Sequence, residues 1–90
     1  MDLLKVFGSK AQTKLVQHLL ENPTRVYNQA GLARFLRCSP STVSRVIEPL
    51  IEEGIVICEQ LPGQMKVIAF NMKSDKAKAL LEFYEKIRKL

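Results

Sequence analysis

The stretch Ser39-Pro40-Ser41-Thr42-Val43-Ser44-Arg45 puts four hydroxyls and one guanidinium into seven residues. Hydroxyls donate or accept hydrogen bonds and a guanidinium presents a fork of donors, so this set suits contacts with base edges and phosphate oxygens. It does not suit hydrolysis. The single histidine, His18, belongs to no Ser-His-Asp arrangement, and the chain carries neither paired catalytic acids nor a glycine-rich phosphate loop. The chain is therefore expected not to be an enzyme and to need no cofactor. Two cysteines, Cys38 and Cys58, together with one histidine are too few for a zinc site. They are expected to be reduced residues packed in the core, one disulfide being the alternative.

The elements around this stretch follow from capping residues and apolar spacing. Ser9 with Gln12 forms a capping-box pattern, and Ala11, Leu15, Val16, Leu19 and Leu20 recur at helical spacing until Asn22-Pro23 stops the run. Arg25-Val26-Tyr27 is a brief β-prone segment able to join a sheet. Asn28 caps a short second helix with Ala30, Leu32, Ala33 and Leu36 inward, ending near Arg37. Ser39 and Pro40 then supply the cap and first residue of a third helix, with Val43, Val46, Ile47, Leu50 and Ile51 on one face and Gly54 as its stop. Ile55 to Glu59 and Lys66 to Met72 read as strands joined through Leu61, Pro62, Gly63 and Gln64, where Pro-Gly suits a type II turn. Ser74 or Asp75 opens a last helix striped by Ala77, Leu80, Leu81, Tyr84 and Ile87.

The segment from Leu32-Ala33 through Leu36, Cys38-Ser39 and Thr42-Val43-Ser44-Arg45 resembles the helix-turn-helix signature of ArsR- and MarR-type transcriptional regulators. Phe7-Gly8-Ser9-Lys10 is similar to small archaeal-type members, and the likeness spans residues from about 7 to 72. It implies an α+β, mainly α, winged helix-turn-helix: a DNA-binding domain over residues 1–73 and a C-terminal helix over 74–90 for dimerisation. Metal-sensing ArsR-type proteins carry clustered ligands, and Cys38 stands alone here, so the sensing role does not carry over. The sequence marks no effector site.

On this plan, Ser41, Thr42, Ser44 and Arg45 project from the first turns of the third helix into the major groove, and Arg45 suits a bidentate pair with guanine. Ser39 and the helix N-terminus face phosphate. Arg34, Arg37, Lys10 and Lys14 are candidates for phosphate contacts, with Gln60, Gln64 and Lys66 at the wing. A plain structural reading stands beside this one: Ser39, Ser41 and Thr42 are ordinary helix-start residues and Arg45 a solvated charge. Two positions depart from the pattern. Arg37 takes a turn position where glycine is common, and Pro49, inside the third helix, predicts a bend.

Formal net charge is +5, unevenly spread. Residues 1–37 carry +4, residues 38–72 carry −2 through Glu48, Glu52, Glu53 and Glu59, and residues 73–90 carry +3. The expected function is a sequence-specific regulator binding double-stranded DNA as a homodimer through Ala77, Leu80, Leu81, Tyr84 and Ile87, packing of that stripe on the protomer's own first helix being the alternative. The acidic middle and lightly charged wing leave open a protein-interaction module instead. No run approaches the roughly 18 apolar residues of a membrane span and Met1 to Phe7 is short for a signal peptide, so a cytoplasmic location is expected.

Overall fold

The computed structural model describes residues 9–63 and 65–90. The apolar lead Leu3 to Phe7 and the wing residue Gln64 lie outside them. Each helix begins where a short polar side chain closes its first turn. Ser9 accepts from the N–H of Gln12 at 3.1 Å, Asn28 from Gly31 at 2.6 Å, Ser39 from Thr42 at 3.2 Å, and Ser74 from Ala77 at 3.3 Å. The helices so opened are α1 (Lys10–Glu21), α2 (Gln29–Leu36), α3 (Pro40–Glu52) and α4 (Asp75–Arg88). Each such cap contributes about 1 kcal/mol by satisfying an N–H that the helix itself cannot.

Between them lie β1 (Val26–Asn28), β2 (Val56–Gln60) and β3 (Lys66–Phe70), forming an antiparallel sheet in the order β1-β3-β2. The β-prone Arg25 to Tyr27 segment thus does join a sheet, on the far side of β3 from β2. The hairpin strands are shifted by a residue or two from the expected bounds, and Gly63 takes φ 83° in the connecting turn, as the second central position of a type II turn demands. Register puts Tyr27, Ile68 and Cys58 in one row facing the helices, with Val26, Ala69 and Ile57 in the row facing away.

One core joins the two layers. Leu15, Val16, Leu19 and Leu20 of α1 meet Leu32 and Ala33 of α2, Val43, Ile47 and Leu50 of α3, and Val56, Ile68 and Phe70 of the sheet. Burying each larger aliphatic side chain contributes about 1.5–3 kcal/mol, so these positions fix how α3 sits on the rest. Ala33 is buried where α2 packs against α3, as its small size predicted. Cys38 and Cys58 are free thiols, half-buried against this core. His18 is half-buried too, its ring stacked on Phe35 at 4.2 Å between centroids.

Two expectations need correction. The capping box at α1 is only half made: Gln12 does not turn back to Ser9 but donates from Nε2 to the carbonyl of Val46, 3.2 Å away, tying α1 to α3. Ala77, expected at a subunit contact, is fully enclosed in the protomer's own core, with 0% exposure. Its small side chain lets α4 approach closely enough for Leu80, Leu81 and Tyr84 to pack half-buried on the same core. Lys76 pairs with Glu53, and its ammonium holds that carboxylate below its usual range. Pro49 does not end α3, which continues to Glu52.

Candidate nucleic-acid interface

α3 turns Val43, Ile47 and Leu50 into the core, which leaves Ser41, Arg45, Glu48 and Glu52 exposed along the opposite side. Thr42 and Ser44 flank that stripe and are half-covered. The sequence-predicted reading residues are therefore brought together on one accessible face.

Their hydroxyls are linked. Arg45 donates from Nη2 to Thr42 Oγ1 at 3.3 Å, Thr42 Oγ1 lies 3.0 Å from Ser39 Oγ, and Ser39 Oγ lies 2.9 Å from Ser41 Oγ. A guanidinium only donates, so Thr42 must accept from it and has its own hydrogen left for Ser39. The chain holds the Arg45 side chain back along the helix toward its N-terminus, where the first-turn N–H groups favour an anion. Ser44 takes no part in it. Its hydroxyl is held from the neighbouring helix by Gln29, which the sequence reading did not single out.

Basic residues surround that N-terminus. Arg34 and Arg37 line a hollow with Ala33, Cys38 and Pro40, where α2 turns into α3. On the other side, a groove lined by Gln29, Arg34, Pro40, Met65 and Lys66 connects the start of α3 to the turn end of the wing. Arg34, Arg37 and Lys66 are all exposed. Among the described residues no carboxylate lines either hollow. Lys10 is exposed on α1, whereas Lys14 is occupied within the fold, 4.9 Å above the Phe35 ring and 3.4 Å from the Phe35 carbonyl. Gln60 is exposed at the end of β2. The acids are set apart by position along α3: Glu48 begins its third turn, Glu52 ends the helix, and Glu53 is engaged by Lys76.

The turn itself is built on a left-handed residue. Arg37 has φ 57° and ψ 47°, and the N–H of Cys38 beyond it closes on the carbonyl of Ala33 at 3.0 Å. A side chain in that conformation costs about 1–2 kcal/mol that glycine avoids. Arg37→Gly is accordingly expected to raise the unfolding free energy by about 1 kcal/mol, measured by urea unfolding at neutral pH. A midpoint that stays or falls would show that the Arg37 side chain contributes more to folding than the backbone strain removes.

No protein-family model matches this sequence, and no curated protein does. Solved structures match its fold. A possible transcriptional regulator from Methanosarcina mazei superposes with TM-score 0.68 at 20% identity, over 93% of this chain and 73% of that one. Staphylococcus aureus MepR, solved as a DNA complex, matches with TM-score 0.67 at 17% identity, over 94% of this chain and 72% of its own. A MarR-family transcriptional regulator from Rhodococcus matches with TM-score 0.67 at 23% identity, over 92% of this chain and 57% of its own. The chain has the winged helix-turn-helix fold of these structures.

In that fold α2 and α3 are the helix-turn-helix pair and the β2-β3 hairpin is the wing. The winged helix-turn-helix here spans about half to four-fifths of the length of its solved counterparts, from 51% to 80%. Among the described residues no helix is long and apolar enough to cross a membrane, and no three His, Cys, Asp or Glu side chains gather as a metal site.

Proposed function

We propose that this winged helix-turn-helix is a transcriptional regulator that binds double-stranded DNA in a sequence-selective way, reading the major groove with α3. The observation that carries this reading is the exposed N-terminal half of α3, where Ser41 and Arg45 stand outward with Arg34, Arg37 and Lys66 around them. The hydroxyl and guanidinium groups suit base edges, and the three cations suit the phosphates on either side. That one solved counterpart is a MepR–DNA complex supports the same reading.

The regulator acts as a homodimer through α4. Beside the stripe that α4 buries in its own protomer, Phe83 and Ile87, one turn apart, form a second apolar stripe that is exposed. Pairing α4 across a two-fold axis covers that stripe and presents two copies of α3 to half-sites about 10 bp apart or a multiple of that.

Selection from a random double-stranded pool, followed by titration of the selected site across salt, tests the reading. Six phosphate contacts, three from each protomer, predict that log K falls against log salt with a slope of roughly −5. A pool that yields no enriched sequence, or an affinity indifferent to salt, would overturn the reading in favour of a protein-interaction module.

A further inference from the structure

Gln29 is the first residue of α2, outside the helix assigned to base reading, yet its side chain crosses to α3 and bonds it twice. Nε2 lies 2.7 Å from the carbonyl oxygen of Pro40 and 2.6 Å from Oγ of Ser44. We propose that Gln29 is a specificity-positioning residue, which fixes Ser44 as a hydrogen-bond donor toward DNA. The inference rests on the DNA-binding reading above.

The direction of both bonds follows from valence. A backbone carbonyl only accepts, so the atom of the Gln29 amide facing Pro40 must be the nitrogen; the flipped amide would set two oxygens against each other. That nitrogen has two hydrogens and no free lone pair, so it also donates to Ser44. Ser44 therefore accepts from Gln29 and needs another outlet for its own hydrogen. The usual outlet for a helical serine is the carbonyl one turn earlier, which is that of Pro40. In an α-helix that oxygen already takes the Ser44 N–H, and here it takes the Gln29 hydrogen as well, which fills its two lone pairs. The Ser44 hydrogen is left to point away from the protein.

A free serine hydroxyl rotates and serves either kind of base edge. Held in this way, Ser44 has its hydrogen and one lone pair left, and with the hydrogen directed outward it favours an acceptor such as N7 or O6 of guanine, N7 of adenine, O4 of thymine or a phosphate oxygen over the amino groups of cytosine and adenine. The Ser39, Ser41 and Thr42 hydroxyls contrast with it: they bond mainly to one another on the exposed side, and either partner in two of those contacts can be the donor.

The test compares base preferences selected by the parent, Gln29→Met, Gln29→Glu and Ser44→Ala, each first shown by thermal melting to fold. Met keeps the length of Gln without its hydrogen bonds, and it is expected to relax discrimination by about 5-fold, at the same base position that Ser44→Ala relaxes, with the salt slope unchanged. Glu only accepts, so its carboxylate is repelled by the Pro40 carbonyl and is expected to leave Ser44 free to rotate, relaxing discrimination at that position as Met does. Without DNA, the Gln29 side-chain amide resonances are expected to move on Ser44→Ala. If the parent selects a site and Gln29→Met keeps every preference, or changes positions that Ser44→Ala does not, the role of Gln29 is overturned while the DNA reading stands. Unmoved amide resonances overturn it whatever DNA does. A parent that enriches no sequence overturns the DNA reading itself.

Discussion

Arg45→Ala is expected to weaken binding by about 5- to 150-fold per half-site of a selected DNA site, equivalent to roughly 1–3 kcal/mol for each protomer, while lowering affinity for scrambled DNA far less. Arg45 is exposed in the second turn of α3, and the Thr42 contact holds its guanidinium toward the helix N-terminus. Its outward neighbours toward the helix N-terminus, Ser41 and Thr42, are short, so that half of the face can enter a major groove while Glu48 and Glu52 lie toward the other end. A guanidinium has the donor fork that matches O6 and N7 of guanine, and losing it leaves those acceptors unpaired in a desolvated interface. Arg34 and Arg37, which flank the helix start, differ in kind. Their removal is expected to weaken all sequences alike and to flatten the salt dependence by about two units each, one contact being lost from each protomer. Fluorescence anisotropy on the selected and a scrambled duplex, at two salt concentrations, separates the two outcomes. An Arg45→Ala protein that weakens on both duplexes equally would make Arg45 a phosphate contact and leave base reading to the hydroxyls.

Much of the frame that carries Arg45 was legible because helix starts and turns are written locally. Ser9, Asn28, Ser39 and Ser74 each cap the helix their position predicts, and Pro62-Gly63 forms the hairpin turn. Arg37 was legible as a problem. The turn needs a left-handed residue, and the structure meets that need with a strained arginine rather than by rebuilding the turn. What remained hidden depends on partners far away in sequence. Gln12 fits a capping box by spacing, but the Val46 carbonyl comes within reach only when α1 and α3 pack. Gln29 reads as an ordinary first-turn residue, and its amide finds Pro40 and Ser44 only because the turn at Arg37 folds α3 back across α2. A polar side chain in a first helical turn beside a turn motif is the one signal that could have pointed to it.

α4 shows the same boundary more sharply, and it leads to the prediction with the largest effect. Spacing alone marks Ala77, Leu80, Leu81, Tyr84 and Ile87 as one stripe, but it cannot say whether the protomer or a partner covers them. Ala77 goes wholly inside, Leu80, Leu81 and Tyr84 are half-covered by the protomer, and Tyr84 reaches Glu21 of α1 at 3.3 Å. Ile87 remains 38% exposed, and Phe83, one turn earlier, is 41% exposed. Exposed apolar side chains one turn apart on one helix are what a two-fold partner needs, and at this exposure they add little to the protomer's own stability. Phe83→Glu combined with Ile87→Glu is therefore expected to leave the protomer folded yet monomeric, because a two-fold axis brings like charges together. Losing simultaneous engagement of two half-sites removes an effective-concentration gain of about 10²- to 10⁴-fold, whereas binding to an isolated half-site is expected to stay the same. Sedimentation velocity and anisotropy on duplexes with one and two half-sites measure these together. A double variant that still sediments as a dimer would move the interface off α4, and a monomer that keeps full affinity for the two-half-site duplex would show that pairing and DNA binding are independent.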